Sequence, residues 1–130
     1  MYTFDDCTLV DLECKQSLTD CLSLPFKVKR VFYSYDVPSG QARGAHAHKE
    51  CHQLLVAVNG AFEVVLDDGV DTRVVKLDNP KLGLHIPPYV WAEERAFLTG
   101  TICLVLASHE YDEQDYIRSY EDFLTFNSLK

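Results

Sequence analysis

Apolar and polar residues alternate along most of this chain in short runs, and each run ends at a turn signal. From Lys27 to Val37 the alternation places Val28, Arg30, Phe32 and Ser34 on one face and Lys29, Val31, Tyr33 and Tyr35 on the other, which predicts a strand. Pro38-Ser39-Gly40 closes it. Leu54 to Val58 is an unbroken apolar run, read as a buried strand, and ends at Asn59-Gly60. That dipeptide is a strong hairpin signal, because both central residues of the favoured turn need positive φ. Phe62 to Leu66, the turn Asp67-Asp68-Gly69 and Thr72 to Leu77 predict a second hairpin. Asn79-Pro80 and Gly83 precede Leu84-His85-Ile86 and Pro87-Pro88, and Val90 to Phe97 and Thr101 to Ser108 flank Thr99-Gly100. Nearer the N-terminus, Tyr2-Thr3-Phe4 and Thr8-Leu9-Val10 predict an initial strand, and Lys15 to Pro25 a polar connection.

The pattern changes after Tyr111. The acidic run Glu110 to Asp115 reads as a solvated connection, and Ser119 to Leu124 as a short terminal helix opened by a serine N-cap. Short strands with turn signals every ~8–12 residues indicate an all-β sandwich or barrel. A double-sheet jelly roll protects strand edges in so small a chain. The expectation is a single domain over residues 1–130.

Composition narrows the function classes. A net charge of −8 argues against a general nucleic-acid binder or a binder of anionic membranes. It leaves room for one small anionic ligand held by a local cluster drawn from Arg30, Arg43 and Lys49. The apolar runs are far too short to span a bilayer. Asp5 and Asp6 stand where a secretory signal carries basic residues, and the five cysteines form no CxxC pair. Both features fit a cytoplasmic protein with free thiols.

The chemistry concentrates in Arg43-Gly44-Ala45-His46-Ala47-His48-Lys49-Glu50-Cys51-His52-Gln53, which holds three of the five histidines. On a strand His46 and His48 share a face, and His52 joins them where no bulge intervenes. One reading is a metal site, since imidazole is a common ligand. It lacks the histidine that metal-binding barrels of this type carry after the later prolines, with only Glu93 or His85 as substitutes at other offsets. The second is metal-free acid–base catalysis: imidazole titrates near ~6.5, Arg43 holds an anion, and Tyr35 supplies a phenol. The third is a purely structural role. Cys51 alternates away from the histidines and makes a poor candidate nucleophile.

The same stretch, with His52-Gln53-Leu54-Leu55, resembles the signature of the dTDP-4-keto-6-deoxyglucose 3,4-ketoisomerases, a branch of the cupins. The similarity continues through Gly60 to Gly69, Gly83 to Pro88, Val90-Trp91, Cys103 to Ser108 and Tyr111-Asp112-Glu113, covering roughly residues 27 to 126. It implies a cupin-type jelly roll with a short C-terminal helix, acting as a homodimer with N-terminal strand exchange. It further implies a cofactor-free, metal-free isomerase that moves the keto group of a dTDP-4-keto-6-deoxyhexose from C4 to C3, supplying 3-amino-3,6-dideoxy sugars. The family's paired histidines fall on His46 and His48 and its active-site tyrosine on Tyr35, while Arg43 matches its motif arginine. His46 is assigned as the base at C3 and His48 as the proton relay. Substrate contacts are expected from Arg43, Arg30, Gln53, Lys49, His52, Trp91 and His85, with His85 pointing into the barrel. Tyr89, where relatives carry a turn glycine, and Ala92, where a polar residue is common, depart from the pattern. The alternatives are a metal-dependent cupin enzyme, a dTDP-sugar 3,5-epimerase and a non-catalytic nucleotide-sugar-binding cupin.

Overall fold

The computed structural model describes residues 6–12 and 24–128. Its strands are β1 (Thr8–Asp11), β2 (Arg30–Tyr35), β3 (Arg43–His48), β4 (Gln53–Asn59), β5 (Phe62–Asp67), β6 (Thr72–Leu77), β7 (Leu82–Ile86), β8 (Trp91–Arg95), β9 (Ile102–Ala107) and β10 (Tyr116–Ile117). A 3-10 turn at Glu113–Asp115 precedes β10, and helix α1 (Tyr120–Ser128) follows it. The strands form two antiparallel five-stranded sheets, ordered β1-β7-β4-β9-β2 and β10-β3-β8-β5-β6. This is the expected all-β jelly roll with one short C-terminal helix.

Alternation decides which side chains fill the space between the sheets. Leu55, Ala57, Leu84, Ile86, Cys103 and Val105 of the first sheet meet Phe62, Val64, Leu66 and Ala92 of the second in one buried cluster. Leu54, Val56 and Leu106 face the other way and are covered by Val10, Leu12 and the segment Leu24, Phe26 and Val28. The outer face of the second sheet carries a third cluster, in which Ala47 and Ile117 pack under Phe123 of α1. Ser119 caps that helix, accepting a hydrogen bond from Asp122 N–H at 3.3 Å. Among the described residues no helix is long and apolar enough to cross a membrane.

Asn59-Gly60 makes a tight connection but not the expected hairpin: β4 and β5 fall in different sheets, and of the two residues only Gly60 has positive φ, at +77, so the chain crosses from one sheet to the other there. A Cβ there would sit 2.4 Å from Thr101 Oγ1, so the β4–β5 turn packs against the start of β9 only with glycine. Two features escaped the sequence pattern. A register shift interrupts the pairing of β3 with β8 between Arg43 and His46. In addition, part of the segment read as a connection to the helix pairs with β3, as Tyr116↔His48 and Ile117↔Ala47. The expected polar connection and the start of the initial strand lie mostly outside the described residues.

Candidate active site

His46 and His48 project inward from β3 into the barrel, with rings 4.9 Å apart at 89°. Cross-strand partners share a face, so Tyr116 of β10 enters beside them. Its ring centroid is 4.9 Å from His46 and 4.3 Å from His48. On the opposing sheet Arg30 donates to the Tyr116 hydroxyl at 3.2 Å. The Arg30 guanidinium lies between the rings of Phe32 and Tyr111, at 4.4 and 5.1 Å from their centroids. A second guanidinium, Arg118, covers Tyr116 at 4.2 Å and is paired with Glu113, whose Oε2 accepts from Nη2 at 2.9 Å. The assembly is therefore two imidazoles and a phenol flanked by two fixed cations.

Asp115 orients one of the imidazoles. Its Oδ2 lies 2.8 Å from His48 Nδ1, so a carboxylate acceptor holds the hydrogen on that nitrogen. The same carboxylate accepts Glu50 N–H at 2.7 Å and Cys51 N–H at 3.3 Å, while the Asp115 carbonyl accepts Lys49 N–H at 2.9 Å. His48 Nε2 is buried and has no hydrogen-bond partner among the described residues. It is the basic nitrogen of the ring, and it is desolvated.

Burial, then the neighbouring His48, then Arg118 and Arg30 lower the His46 pKa to about 3. Burial also lowers His48, against the opposing pull of Asp115. Both rings are thus neutral near pH 7 and able to accept protons.

Glu94 of β8 shares the inward face with Ala92, whose register partner is His46. Gly44, at φ +74, lies against this carboxyl, and a Cβ there would fall 2.2 Å from Glu94 Oε2. Burial raises the Glu94 pKa to about 8. Small residues stand next to the polar groups. Ala92 faces in beside His46, and Ala107 lies between Gln53 and Arg30 in one row of the first sheet.

Several expected site residues lie elsewhere. Tyr35 faces outward from β2 and is 62% exposed, packed on Tyr33 rather than on the histidines. It pairs with Ile102, at the opposite end of β2 from the Arg30–Ala107 pair that flanks the site. His85 does not point into the barrel. It alternates with Leu84 and Ile86, which do, and so faces out beside Leu54. His52 shares that outer side, its Nδ1 2.9 Å from His85 Nε2, with Phe26 packed over both rings. Trp91 precedes inward Ala92 and therefore faces α1, in contact with Tyr120 and Phe123 at 5.3 and 5.6 Å. Arg43 is exposed and donates to its own loop, at Ala42 O and Gln41 Oε1. Lys49 lies over Phe126 of α1 at 5.4 Å. Of the expected contacts, Arg30 and Gln53 alone accompany the histidine pair on the inward faces. Tyr89 adopts φ +61, the conformation for which glycine is the usual residue, and packs its ring on Phe126.

Tyr116, Asp115, Arg118 and Glu113 were missed because they lie in or beside the acidic run read as a solvated connection. The available signal was Tyr116-Ile117, a short β-prone pair between that run and the helix cap.

These positions bear on a metal. Neither Glu93, which alternates outward from Glu94, nor His85 reaches the histidine pair. Among the described residues His48, Cys51 and Asp115 bring ligand atoms within 4.8 Å of one another. The Asp115 oxygens there are already engaged by two backbone N–H groups and His48, a donor set that suits orientation of the ring better than ligation.

Comparison with known proteins places this architecture. A curated relative from Aneurinibacillus thermoaerophilus, named TDP-4-oxo-6-deoxy-alpha-D-glucose-3,4-oxoisomerase, is 46% identical over 101 residues, 78% of this chain and 73% of its own. A 3,4-ketoisomerase structure from Helicobacter canadensis is 38% identical with TM-score 0.85, covering 95% of this chain and 98% of that one. A sugar 3,4-ketoisomerase from Thermoanaerobacterium thermosaccharolyticum, solved in complex with TDP, is 32% identical with TM-score 0.89, covering 98% of both chains. The family model for FdtA, described as WxcM-like, C-terminal, matches residues 6–128, nearly the whole of the chain, and the protein belongs to that family.

Proposed function

We infer that the chain is a sugar-nucleotide 3,4-ketoisomerase acting on a dTDP-4-keto-6-deoxyhexose. The observation that carries the reading is the pair of neutral imidazoles on one barrel face, His46 half-buried and His48 buried and backed by Asp115. The related isomerases named above make this the reaction class. The C4 ketone acidifies the C3 proton. His46 removes it, giving an enediolate, and His48 Nε2 takes the proton from the C3 hydroxyl and passes it to the C4 oxygen. Asp115 stabilises the imidazolium that exists in between. Arg30 and Arg118 attract the diphosphate to this end of the barrel, and Gln53 offers an amide to the sugar or base. The 3-keto product is a substrate for amination to a 3-amino-3,6-dideoxy sugar.

The reading extends to assembly and compartment. The protein acts as a homodimer, and the strand it exchanges is β1, which the single chain pairs with its own β7. In its support, the outer face of β2 presents Val31, Tyr33 and Tyr35 at 50%, 61% and 62% exposure, an apolar stripe of the kind a partner covers. The compartment is the cytoplasm, and the buried thiols of Cys51 and Cys103 suit it.

The test is hydrogen exchange at C3. Purified protein in D₂O with dTDP-4-keto-6-deoxyglucose is followed by NMR, and wild type is expected to wash deuterium into C3 and form the 3-keto isomer. Absence of both, with His46→Asn indistinguishable from wild type, would sink the assignment.

A further inference from the structure

We propose that Tyr116, rather than the outward-facing Tyr35, is the acid that protonates C4; the proposal rests on the ketoisomerase reading above. Two imidazoles account for removal of the C3 proton and for the shuttle between oxygens. They leave C4 without a donor. The inward side chains of the opposing strand β2 are Arg30, Phe32 and Ser34, and its tyrosines Tyr33 and Tyr35 face outward. Tyr116 is the tyrosine whose ring touches both His46 and His48, so a sugar ring lying against the two imidazoles also meets its phenol.

The surroundings suit proton donation followed by a transient negative charge. Arg30 donates to the hydroxyl oxygen at 3.2 Å, and an arginine hydrogen bond is stronger to a phenolate than to a phenol. Arg30 is itself fixed between Phe32 and Tyr111. Arg118 lies over the tyrosine ring, 4.2 Å from its centroid. Cation and phenol are thus prearranged.

The protons balance. His46 takes the C3 hydrogen and becomes an imidazolium. The C3–H electron pair forms the C3=C4 bond, and the C4 carbonyl pair moves onto its oxygen. His48 carries the C3 hydroxyl proton to that oxygen. The C3 oxyanion then re-forms a carbonyl, and C4 takes the Tyr116 hydroxyl proton. The phenolate regains a proton from the His46 imidazolium that it touches. Both side chains end as they began, and no oxidant or reductant enters.

The experiment compares wild type with Tyr116→Phe on dTDP-4-keto-6-deoxyglucose in D₂O. Deuterium at C3 of recovered substrate is measured separately from the 3-keto product, which is trapped by reduction. Phenylalanine keeps the ring against both histidines, and thermal melting verifies that the variant is folded. Product formation is expected to fall by about 100-fold or more, the scale of a lost general acid, while C3 exchange stays within about tenfold of wild type. Product formation above about a tenth of wild type would overturn the assignment and direct attention to Glu94, the other protonated acid on the inward face. Equal loss of exchange and product would overturn it too, because the phenol would then be needed before the enediolate forms. Failure of wild type itself to exchange or isomerise this substrate would instead refute the ketoisomerase reading.

Discussion

Replacing Asp115 with asparagine tests the orientation of His48 with almost no change of volume. The wild-type carboxylate accepts three hydrogen bonds, from His48 Nδ1, Glu50 N–H and Cys51 N–H. An asparagine amide keeps an oxygen for the backbone N–H groups and turns its NH₂ toward His48. Nδ1 then has to accept, the ring hydrogen moves to Nε2, and the inward nitrogen becomes a donor that cannot take the C3 hydroxyl proton. A carboxylate-to-amide change of this kind, which fixes the wrong tautomer, costs about 10²–10⁴-fold in turnover, or about 3–5 kcal/mol of barrier. Stability suffers much less, about 1–2 kcal/mol for the lost charge assistance, because the loop contacts survive in weaker form. The assay is kcat and KM on dTDP-4-keto-6-deoxyglucose together with the melting temperature. The expected result is a large fall in kcat with the melt lowered by a few degrees. A folded Asp115→Asn protein turning over within about threefold of wild type would refute the role given to Asp115.

Two further outcomes follow from the geometry. Trp91→Ala removes the ring that joins β8 to α1, and is expected to cost about 2–4 kcal/mol in denaturant unfolding while leaving KM within about twofold; a sharp rise in KM with unchanged stability would return Trp91 to the binding site. Glu94 and His46 set opposite pH slopes. Glu94 is held near 8 against 4.5 when unfolded, so its stabilising contribution is complete below about 4.5 and is lost as pH rises through about 8. His46, lowered to about 3, contributes above about 6.5 and loses that contribution as pH falls toward 3. Melting temperature is therefore expected to peak in the mildly acidic range, and Glu94→Gln to flatten the alkaline decline. An unchanged slope between pH 5 and 8 in Glu94→Gln would exclude this account.

The fold was legible because alternation and turn chemistry agreed at nearly every element. Asp67-Asp68-Gly69 and Ser119 formed what their residue types favour, whereas Asn59-Gly60, a hairpin signal, instead carries the chain between the two sheets. The histidine pair was legible for the same reason, since i and i+2 on a strand share a face. Errors arose where a decision depended on which face was inward. Tyr35, His85 and Trp91 all alternate outward, and local sequence does not distinguish the interior of a barrel from a surface covered by a helix or by another segment. The acidic run around Asp115 was misread for another reason. Asp and Glu signal solvent by composition, yet Asp115 is held by partners 64 to 67 positions earlier in the chain. Such long-range pairing leaves no periodic trace.

The two-residue strand β10 has a dynamic consequence. It is joined to the second sheet along one short ladder with β3, and the 3-10 turn before it carries the aspartate behind His48. Opening of residues 113–128 as a unit would leave the nine longer strands paired while withdrawing Asp115 and Tyr116 from the imidazoles together. Short terminal units of this kind open with less free energy than global unfolding requires. The temperature at which turnover ceases and the temperature at which the sheets melt need not coincide, and amide exchange in β10 would report the first of them.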